Sequence, residues 1–355
     1  MRIQRAVGVV LLLVVGACSS SSHSSAPTTT APTTTTTSGA TTTEVPSTAP
    51  TTAPGRDPLP AGTVMLGARG GSIVALDAGG HALKTLLTVA TGRLVTGTQL
   101  MPDHETLWYV TTGNPAVRNR GCPSVVRLNL RTNTTALIAH ATGVAVTADG
   151  KRYVLGPGVY SDASGRNGCP GASFEDQFAV HDVATGVVWH APDSSAPIAS
   201  SGPLGVAISP AGNLLITSQC SLDGCSVMTL PVPESAGAPL TWHTTSPVSC
   251  DCLHFVTDGD ALYAVVQTPM APRAEVRRFA WNALSGTGTT VFSSSSPRQF
   301  GSPVPTTAGV YAFVGDEFSE KTSHLYRLSG GRATAIGASG YAAVVGVPRF
   351  APRAG

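Results

Sequence analysis

The chain has 355 residues, of which 42% are hydrophobic and only 12% charged, and its formal net charge is +2. A nearly neutral chain without Lys/Arg clusters carries no electrostatic footprint for nucleic acid, and no polybasic patch that would hold it on a membrane. Gly, Ser, Thr and Pro are abundant, which favours a turn-rich β protein over a helical one.

The first 17 residues have the organisation of a secretory signal. Two positive charges, Arg2 and Arg5, precede an unbroken apolar run over residues 6–15. Ten helical residues span about 15 Å, roughly half of the hydrocarbon core of a bilayer, so this run is too short for a transmembrane helix. We therefore predict a cleaved signal peptide over residues 1–17.

The apolar run ends in Val15-Gly16-Ala17, and Cys18 follows directly. This pattern resembles the lipobox of bacterial lipoproteins. The resemblance implies that Cys18 receives a diacylglyceryl group and becomes the mature N-terminus, on the extracytoplasmic face of the cell membrane. The alternative is an ordinary signal peptide cleaved near Ala17, which leaves Cys18 as a free thiol.

Residues 18–57 have the composition of a disordered tether. Between positions 19 and 54 the chain is almost wholly Ser, Thr, Ala and Pro, with one acidic residue, Glu44, and one large apolar residue, Val45. Such a segment has nothing to offset the entropy of ordering it. Fully extended, at about 3.1 Å per residue, it would reach on the order of 110 Å. We expect a passive spacer, and an O-glycosylated stalk is the alternative.

Residues 58–355 contain a repeat of short apolar strands separated by Gly, Asp, Asn or Pro turns, with a period of about 45–60 residues. The predicted strands fall at 106–110, 125–130 and 136–138; at 153–155, 178–183 and 187–189; at 206–208, 214–216, 227–230 and 240–242; at 255–256, 262–266, 276–281 and 289–292; and at 310–314, 325–328 and 333–336.

The first unit of the repeat is incomplete. It has strands at 64–66, 73–76 and 83–86 only, whereas the chain ends with a lone strand at 341–347. Pairing these strands would close a ring and remove edges that could template aggregation. We therefore predict an all-β fold, a β-propeller of six blades with four antiparallel strands each, closed by the C-terminal strand. Five or seven blades are the alternatives.

Two features connect the domain with known propellers. The segment Tyr109-Val110-Thr111-Thr112 resembles the Tyr-Val-Thr-Asn motif of surface-layer propeller repeats, which are themselves similar to WD40 repeats. Trp189-His190 and Trp242-His243 fall at matching outer-strand positions, where an aromatic ring can cover the flank of a blade. In architecture the domain is similar to six-bladed bacterial envelope propellers of the Tol-Pal type.

Six further cysteines fall in the propeller, and an even number in an exported domain indicates disulfides. They are Cys122, Cys169, Cys220, Cys225, Cys250 and Cys252. We favour Cys122–Cys169, between equivalent loops of neighbouring blades. The other four pair either as 220–225 with 250–252, or as 225–250 with 220–252, which avoids a strained Cys-x-Cys ring. Metal binding by Cys250, Asp251, Cys252 and His254 is a weak alternative, and we expect no metal.

All six cysteines map to one face of the predicted ring, which also carries the longest loops, 111–123 and 156–175. The candidate binding residues on this face are Arg118, Arg120, Arg166, Asn167, Glu175, Asp176, Asp251 and His254. A groove lined by Arg and Asn could hold a carboxylate, a sugar or a peptide. The alternative is a set of solvated loop residues made rigid by disulfides.

No phosphate-binding loop, nucleophile elbow or zinc-protease helix is present. Asp149-Gly150 and Asp258-Gly259 are expected at turns on backbone grounds and do not support a calcium site. We expect a non-enzymatic, lipid-anchored binding or scaffold protein of the cell envelope, without a cofactor, that presents its disulfide-braced face to a protein or glycan. The alternative is a propeller enzyme of the lactonase, lyase or sugar dehydrogenase type, acting at the central channel near Asp251 and His254. Capture of a solute for an importer is a third possibility.

Overall fold

The computed structural model describes residues 57–113, 122–156, 179–190, 206–221, 224–233, 243–250, 255–259, 261–267, 274–284, 287–294, 299–315, 324–349 and 351. Within these ranges the secondary structure consists of strands, and no helix occurs. The strands form six sheets, each of four antiparallel strands. The fold is a six-bladed β-propeller, as the sequence predicts.

The first three blades, given from the inner strand outward, combine the C-terminal strand with the first eleven strands of the chain. Blade 1 contains β24 (Ala343–Gly346), β1 (Met65–Arg69), β2 (Ser72–Leu76) and β3 (Ala82–Thr88). Blade 2 contains β4 (Arg93–Leu100), β5 (Thr106–Gly113), β6 (Ser124–Asn129) and β7 (Thr134–Ala139). Blade 3 contains β8 (Val144–Val146), β9 (Arg152–Leu155), β10 (Ala179–Asp182) and β11 (Val188–His190).

The other three blades follow in chain order. Blade 4 contains β12 (Val206–Ile208), β13 (Leu214–Ser221), β14 (Gly224–Pro231) and β15 (His243–Cys250). Blade 5 contains β16 (Phe255–Asp258), β17 (Ala261–Gln267), β18 (Ala274–Ala280) and β19 (Thr289–Ser293). Blade 6 contains β20 (Gln299–Thr306), β21 (Gly309–Gly315), β22 (His324–Ser329) and β23 (Arg332–Ser339). The outer strand predicted for blade 4 at 240–242 lies outside the described residues, and the described strand begins at His243.

Blade 1 closes the ring with strands from both ends of the propeller. Its inner strand, β24, pairs antiparallel with β1, so that Gly346 lies opposite Met65 and Ala343 opposite Ala68. β24 also contacts the inner strands of blades 2 and 6. The prediction that the lone C-terminal strand fills the gap in the first unit is therefore confirmed.

Among the described residues, the hydrophobic core forms six clusters, one between each pair of neighbouring blades. Between blades 1 and 6, for example, Met65, Tyr311 and Leu325 are fully buried. Between blades 3 and 4, Trp189 is 4% exposed and packs against residues of both blades. This matches the role predicted for an outer-strand tryptophan, whereas Trp242 lies outside the described residues.

The antiparallel strands give the ring two distinct faces. On the turn face, the first strand of a blade turns into the second and the third into the fourth, as at 101–105, 147–151 and 183–187. On the loop face, the second strand connects to the third, and each blade connects to the next, as at 69–72, 89–93, 122–124 and 139–143.

Candidate binding face

All of the predicted binding residues fall outside the described ranges. These are Arg118, Arg120, Arg166, Asn167, Glu175, Asp176, Asp251 and His254, together with Cys18, Cys169 and Cys252. Asp251 and His254, on which the enzymatic alternative depends, are among them. The binding role of this set therefore stays a prediction.

The described cysteines lie at the loop-face ends of their strands. Cys122 lies two residues before β6 and is disulfide-bonded. In blade 4, Cys225 lies opposite Cys220 on one side and opposite Cys250 on the other. The connectivity of the six cysteines, including Cys122–Cys169, stays a prediction.

Arg93 organises the loop face of blade 2. It is the first residue of β4, and its Nη2 atom donates to Thr111 Oγ1 at 2.5 Å, to the carbonyl oxygen of Cys122 at 2.8 Å and to Ser124 Oγ at 3.2 Å. Its Nε atom donates to Thr111 Oγ1 at 3.1 Å. Thr111 lies near the end of β5 and Ser124 begins β6, so one guanidinium holds both ends of the connection between these strands.

Ser124 extends this network to the connection between blades 2 and 3. It is 6% exposed, and its hydroxyl oxygen lies 3.2 Å from His140 Nδ1. The hydroxyl also donates to the carbonyl oxygen of Cys122 at 3.0 Å. His140 Nδ1 is 3.3 Å from the carbonyl oxygen of Pro123 as well. One set of hydrogen bonds thus joins the loop-face ends of β4, β5 and β6 to the segment at Cys122 and to the connection between blades 2 and 3.

The partners of Arg93 are neutral oxygens. No ion pair joins Arg93 to a carboxylate among the residues that the structure describes. Burial raises the pKa of the neighbouring Tyr109, and the positive charge of Arg93 opposes that rise. The loop face of blade 2 therefore carries a fixed positive charge without a fixed counter-ion within the described part of the chain.

The turn face is occupied by the two ends of the propeller chain. His104 is buried in the turn between β4 and β5, and its ring lies between Asp57 Oδ2, 2.6 Å from Nδ1, and the carbonyl oxygen of Pro348, 2.7 Å from Nε2. Close by, the amide of Ala351 donates to the carbonyl oxygen of Pro102 at 2.7 Å. The chain therefore enters the propeller at Asp57 and leaves it beyond Pro348 on the same face.

Aspartates cap the tight turns of this face. The carboxylate of Asp77 accepts hydrogen bonds from the amides of Gly79 and His81, and that of Asp182 accepts from Ala184 and Thr185. The hydrogen bond from the His81 amide lowers the pKa of Asp77, and the one from the Thr185 amide lowers the pKa of Asp182. Asp149 of Asp149-Gly150 accepts from the amide of Lys151 in the same way. This agrees with the predicted turn role.

Comparisons with known proteins identify the fold of this chain but no functional site. No protein-family model matches the chain, and no curated protein matches it. Among solved structures, the chain is similar to TolB from Acinetobacter baumannii, with a TM-score of 0.53 and 12% identity over 81% of this chain and 67% of TolB. The TM-score and identity are the same for a chain from the crystal structure of a nidogen/laminin complex, over 82% of this chain and 100% of that one. The likeness is one of fold.

The structure also identifies residues that the sequence did not single out. Arg93 and His104 each connect parts of the chain that are distant in sequence, and a single Arg or His has no motif around it. No group of three His, Cys, Asp or Glu residues suited to a metal occurs within the described ranges. In the same part of the chain, no helix has the length and apolar character needed to cross a membrane.

Proposed function

We propose that this chain is a lipid-anchored binding or scaffold protein of the cell envelope that presents the loop face of its propeller to a protein or glycan partner. The observation that carries the proposal is the difference between the two faces. The turn face is occupied by the entering and leaving chain at Asp57 and Pro348. The loop face carries the inter-strand connections that Arg93 braces.

The anchor part of the proposal rests on the sequence before residue 57. A lipid on Cys18 and a Ser/Thr/Pro tether would deliver the chain to the turn face, which leaves the opposite face accessible to a partner. A disulfide between Cys122 and Cys169 would brace two neighbouring loops of the presented face, and Cys122 is a disulfide cysteine. Bracing a loop before binding lowers the entropy lost on association.

The fold neighbours are consistent with this role without assigning it. The similar chain comes from the crystal structure of a nidogen/laminin complex, so a chain of this general fold takes part in a protein complex there. At 12% identity that complex does not assign a partner to this chain. We therefore propose the loop face as the binding face, and experiment decides whether its partner is a protein or a glycan.

Site-specific photo-crosslinking tests which face binds. A photoreactive amino acid replaces the exposed Thr91 on the loop face or the exposed Lys151 on the turn face of the full-length protein in its exporting host. We expect an envelope component to be cross-linked through position 91 and not through position 151. Equal adducts from both positions, or none from either, would show that the loop face is not a binding face.

Anchoring is tested separately. Metabolic labelling with a radioactive fatty acid should mark the wild-type protein, and the Cys18→Ser variant should lose both the label and its place in the membrane fraction. A labelled Cys18→Ser protein, or one that stays membrane-bound to the wild-type extent, would disprove the proposed anchor.

A further inference from the structure

The loop face of blades 1 and 2 contains a fixed arginine that lacks a carboxylate partner among the described residues. We propose that this site, centred on Arg93, binds a carboxylate of an acidic peptide segment in a protein partner. The inference rests on the proposed binding function, and it adds the location and the chemistry of the contact.

The Arg93 side chain is partly exposed and oriented before any ligand arrives. Its Nε and Nη2 atoms donate to oxygens of Thr111, Cys122 and Ser124, which fixes the plane of the guanidinium. No acceptor among the described residues bonds its Nη1 atom, so those donors remain for a ligand. A planar, always-charged guanidinium suits a carboxylate better than a lysine ammonium does.

The chain around Arg93 adds positive charge and no negative charge. We call the described segments 69–72, 89–93, 111–113, 122–124 and 139–143 the basic sector. Hydrogen bonds from Val89 and Val95 to the turn at Gly70 and Gly71 tie the first two segments together. The sector contains Arg69, Arg93 and His140, and neither Asp nor Glu. The sector is thus complementary in charge to an acidic ligand, and such complementarity speeds association and selects partners.

The described carboxylates lie elsewhere. Glu275 of blade 5 is bonded to Arg277, with Oε2 2.7 Å from Nε. The others are on the turn face, at Asp57, Asp77, Asp103, Glu105, Asp149, Asp182 and Asp258. In the described part of blades 1 and 2 the carboxylates therefore lie on the turn face, which leaves the basic sector to attract an external anion.

An acidic peptide fits the sector better than an acidic glycan does. Sugar rings commonly stack on exposed aromatic faces, but Trp108 and Tyr109 beside the sector are 3% and 5% exposed. The large hydrophobic side chains exposed among the described residues are Leu and Val. A ligand that depends on charge and hydrogen bonds, rather than on stacking, matches this surface.

Fluorescence anisotropy with a fluorescein-labelled hexaglutamate peptide tests the proposal on the full-length protein at low salt, with hexaglutamine as the neutral control peptide. We expect hexaglutamate to bind and hexaglutamine not to. Arg93→Gln should weaken hexaglutamate binding about tenfold or more, the loss expected for one charge-assisted contact. Arg332→Gln removes the same charge from an exposed turn-face position and should leave the affinity unchanged.

Arg93→Lys keeps the positive charge but loses the planar guanidinium. It provides a second test of the site if Arg93→Gln fails to fold. It should bind hexaglutamate more weakly than the wild type while melting at a similar temperature. Wild-type affinity in both Arg93 variants would overturn the proposal, as would a wild-type protein that does not bind hexaglutamate. Arg93-dependent binding of trigalacturonate in place of hexaglutamate would overturn the assignment to a peptide.

The two proposals fail differently. If a partner cross-links through position 91 with the same yield in the Arg93→Gln protein, the carboxylate site is wrong and the binding function stands. If no partner cross-links through either face, both proposals fail.

Discussion

The Nε2 atom of His104 lies 2.7 Å from the carbonyl oxygen of Pro348, which is 244 positions further along the chain. On the other side of the ring, Nδ1 lies 2.6 Å from Asp57 Oδ2. One buried side chain of blade 2 thus contacts the segment that enters the propeller and the segment that follows its last strand. Ring closure therefore depends on this side chain as well as on the pairing of β24 with β1.

Replacing His104 should loosen both ends of the propeller. His104→Ala removes two hydrogen bonds of a buried ring, and we expect the free energy of unfolding to fall by about 1–3 kcal/mol in urea denaturation. The matched control is His81→Ala, because His81 also faces an aspartate, Asp77, but its side chain is 74% exposed. That change should cost less than about 0.5 kcal/mol. Equal losses in the two variants would contradict the role of His104.

The closing strand is also sensitive to side-chain size. A Cβ atom added at Gly346 would overlap the carbonyl oxygen of Pro305 on the neighbouring inner strand β20. Gly346→Ala should therefore lower the free energy of unfolding by about 1–3 kcal/mol, measured by urea denaturation.

Gly97→Ala, on the inner strand β4, is the control for Gly346→Ala. The nearest neighbour of the added Cβ atom would be Val110 Cγ2 at 3.6 Å, which is ordinary contact. The change should therefore alter the free energy of unfolding by less than about 1 kcal/mol. A Gly346→Ala protein as stable as Gly97→Ala would show that blades 1 and 6 are less closely packed than the structure indicates.

The strands that could be predicted are those with uninterrupted apolar or β-branched runs, such as β5, β17 and β21. Closure of the ring could also be predicted, because the first unit lacks one strand and the chain ends with a lone strand. The inner strand β20 was missed because Pro303 and Pro305 argue against a strand in general. As an inner strand, β20 pairs on one side only, with β21. Two prolines are therefore tolerated there.

The candidate site was less predictable than the fold. The sequence pointed to the loops 111–123 and 156–175 by their length and their Arg and Asn residues, and most of each loop lies outside the described ranges. Arg93 was missed because its role depends on Thr111 and Ser124, which become its neighbours only when β4, β5 and β6 lie side by side. His104 likewise has no sequence signal that relates it to Pro348.

Acid should lower the free energy of unfolding through the carboxylate of Asp182 on the turn face. The hydrogen bond from the Thr185 amide holds the pKa of Asp182 below its ordinary value of 3.8 in the folded state, and the contact of its carboxylate with Arg152 acts in the same direction. A carboxyl with a lowered folded pKa contributes stability above its unfolded pKa and loses it as the pH falls through the folded pKa. We therefore expect the free energy of unfolding to fall below about pH 4.

Asp182→Asn isolates this contribution, because the amide keeps an acceptor oxygen and does not titrate. In urea denaturation between pH 3 and pH 6, the variant should be less stable than the wild type at pH 6, and its stability should change less with pH. Parallel curves for the two proteins would show that the carboxylate of Asp182 does not contribute to the acid sensitivity.

The register of blade 4 limits the disulfides of Cys225. In antiparallel pairs, opposed Cα atoms lie about 4.5 or 5.5 Å apart, which is within the range that a disulfide requires. Cys225 is opposed to both Cys220 and Cys250, so it has two partners within reach in its own sheet. Bonding to Cys220 would leave Cys250 with Cys252, in a strained Cys-x-Cys ring. We therefore expect Cys225–Cys250, together with Cys220–Cys252.

Mass spectrometry of the non-reduced protein after cleavage before aspartate and after glutamate checks this map. Asp223 separates Cys220 from Cys225, Glu234 separates Cys225 from Cys250, and Asp251 separates Cys250 from Cys252, so each of the four cysteines falls on a different peptide. A peptide that joins Cys225 to Cys250 is the expected product. One that joins Cys225 to Cys220 would select the other pairing of blade 4, and one that joins Cys225 to Cys122 or Cys169 would contradict the register argument. The Cys225→Ser variant should lose the expected product and retain the disulfide of Cys122, because that disulfide is predicted to form with Cys169.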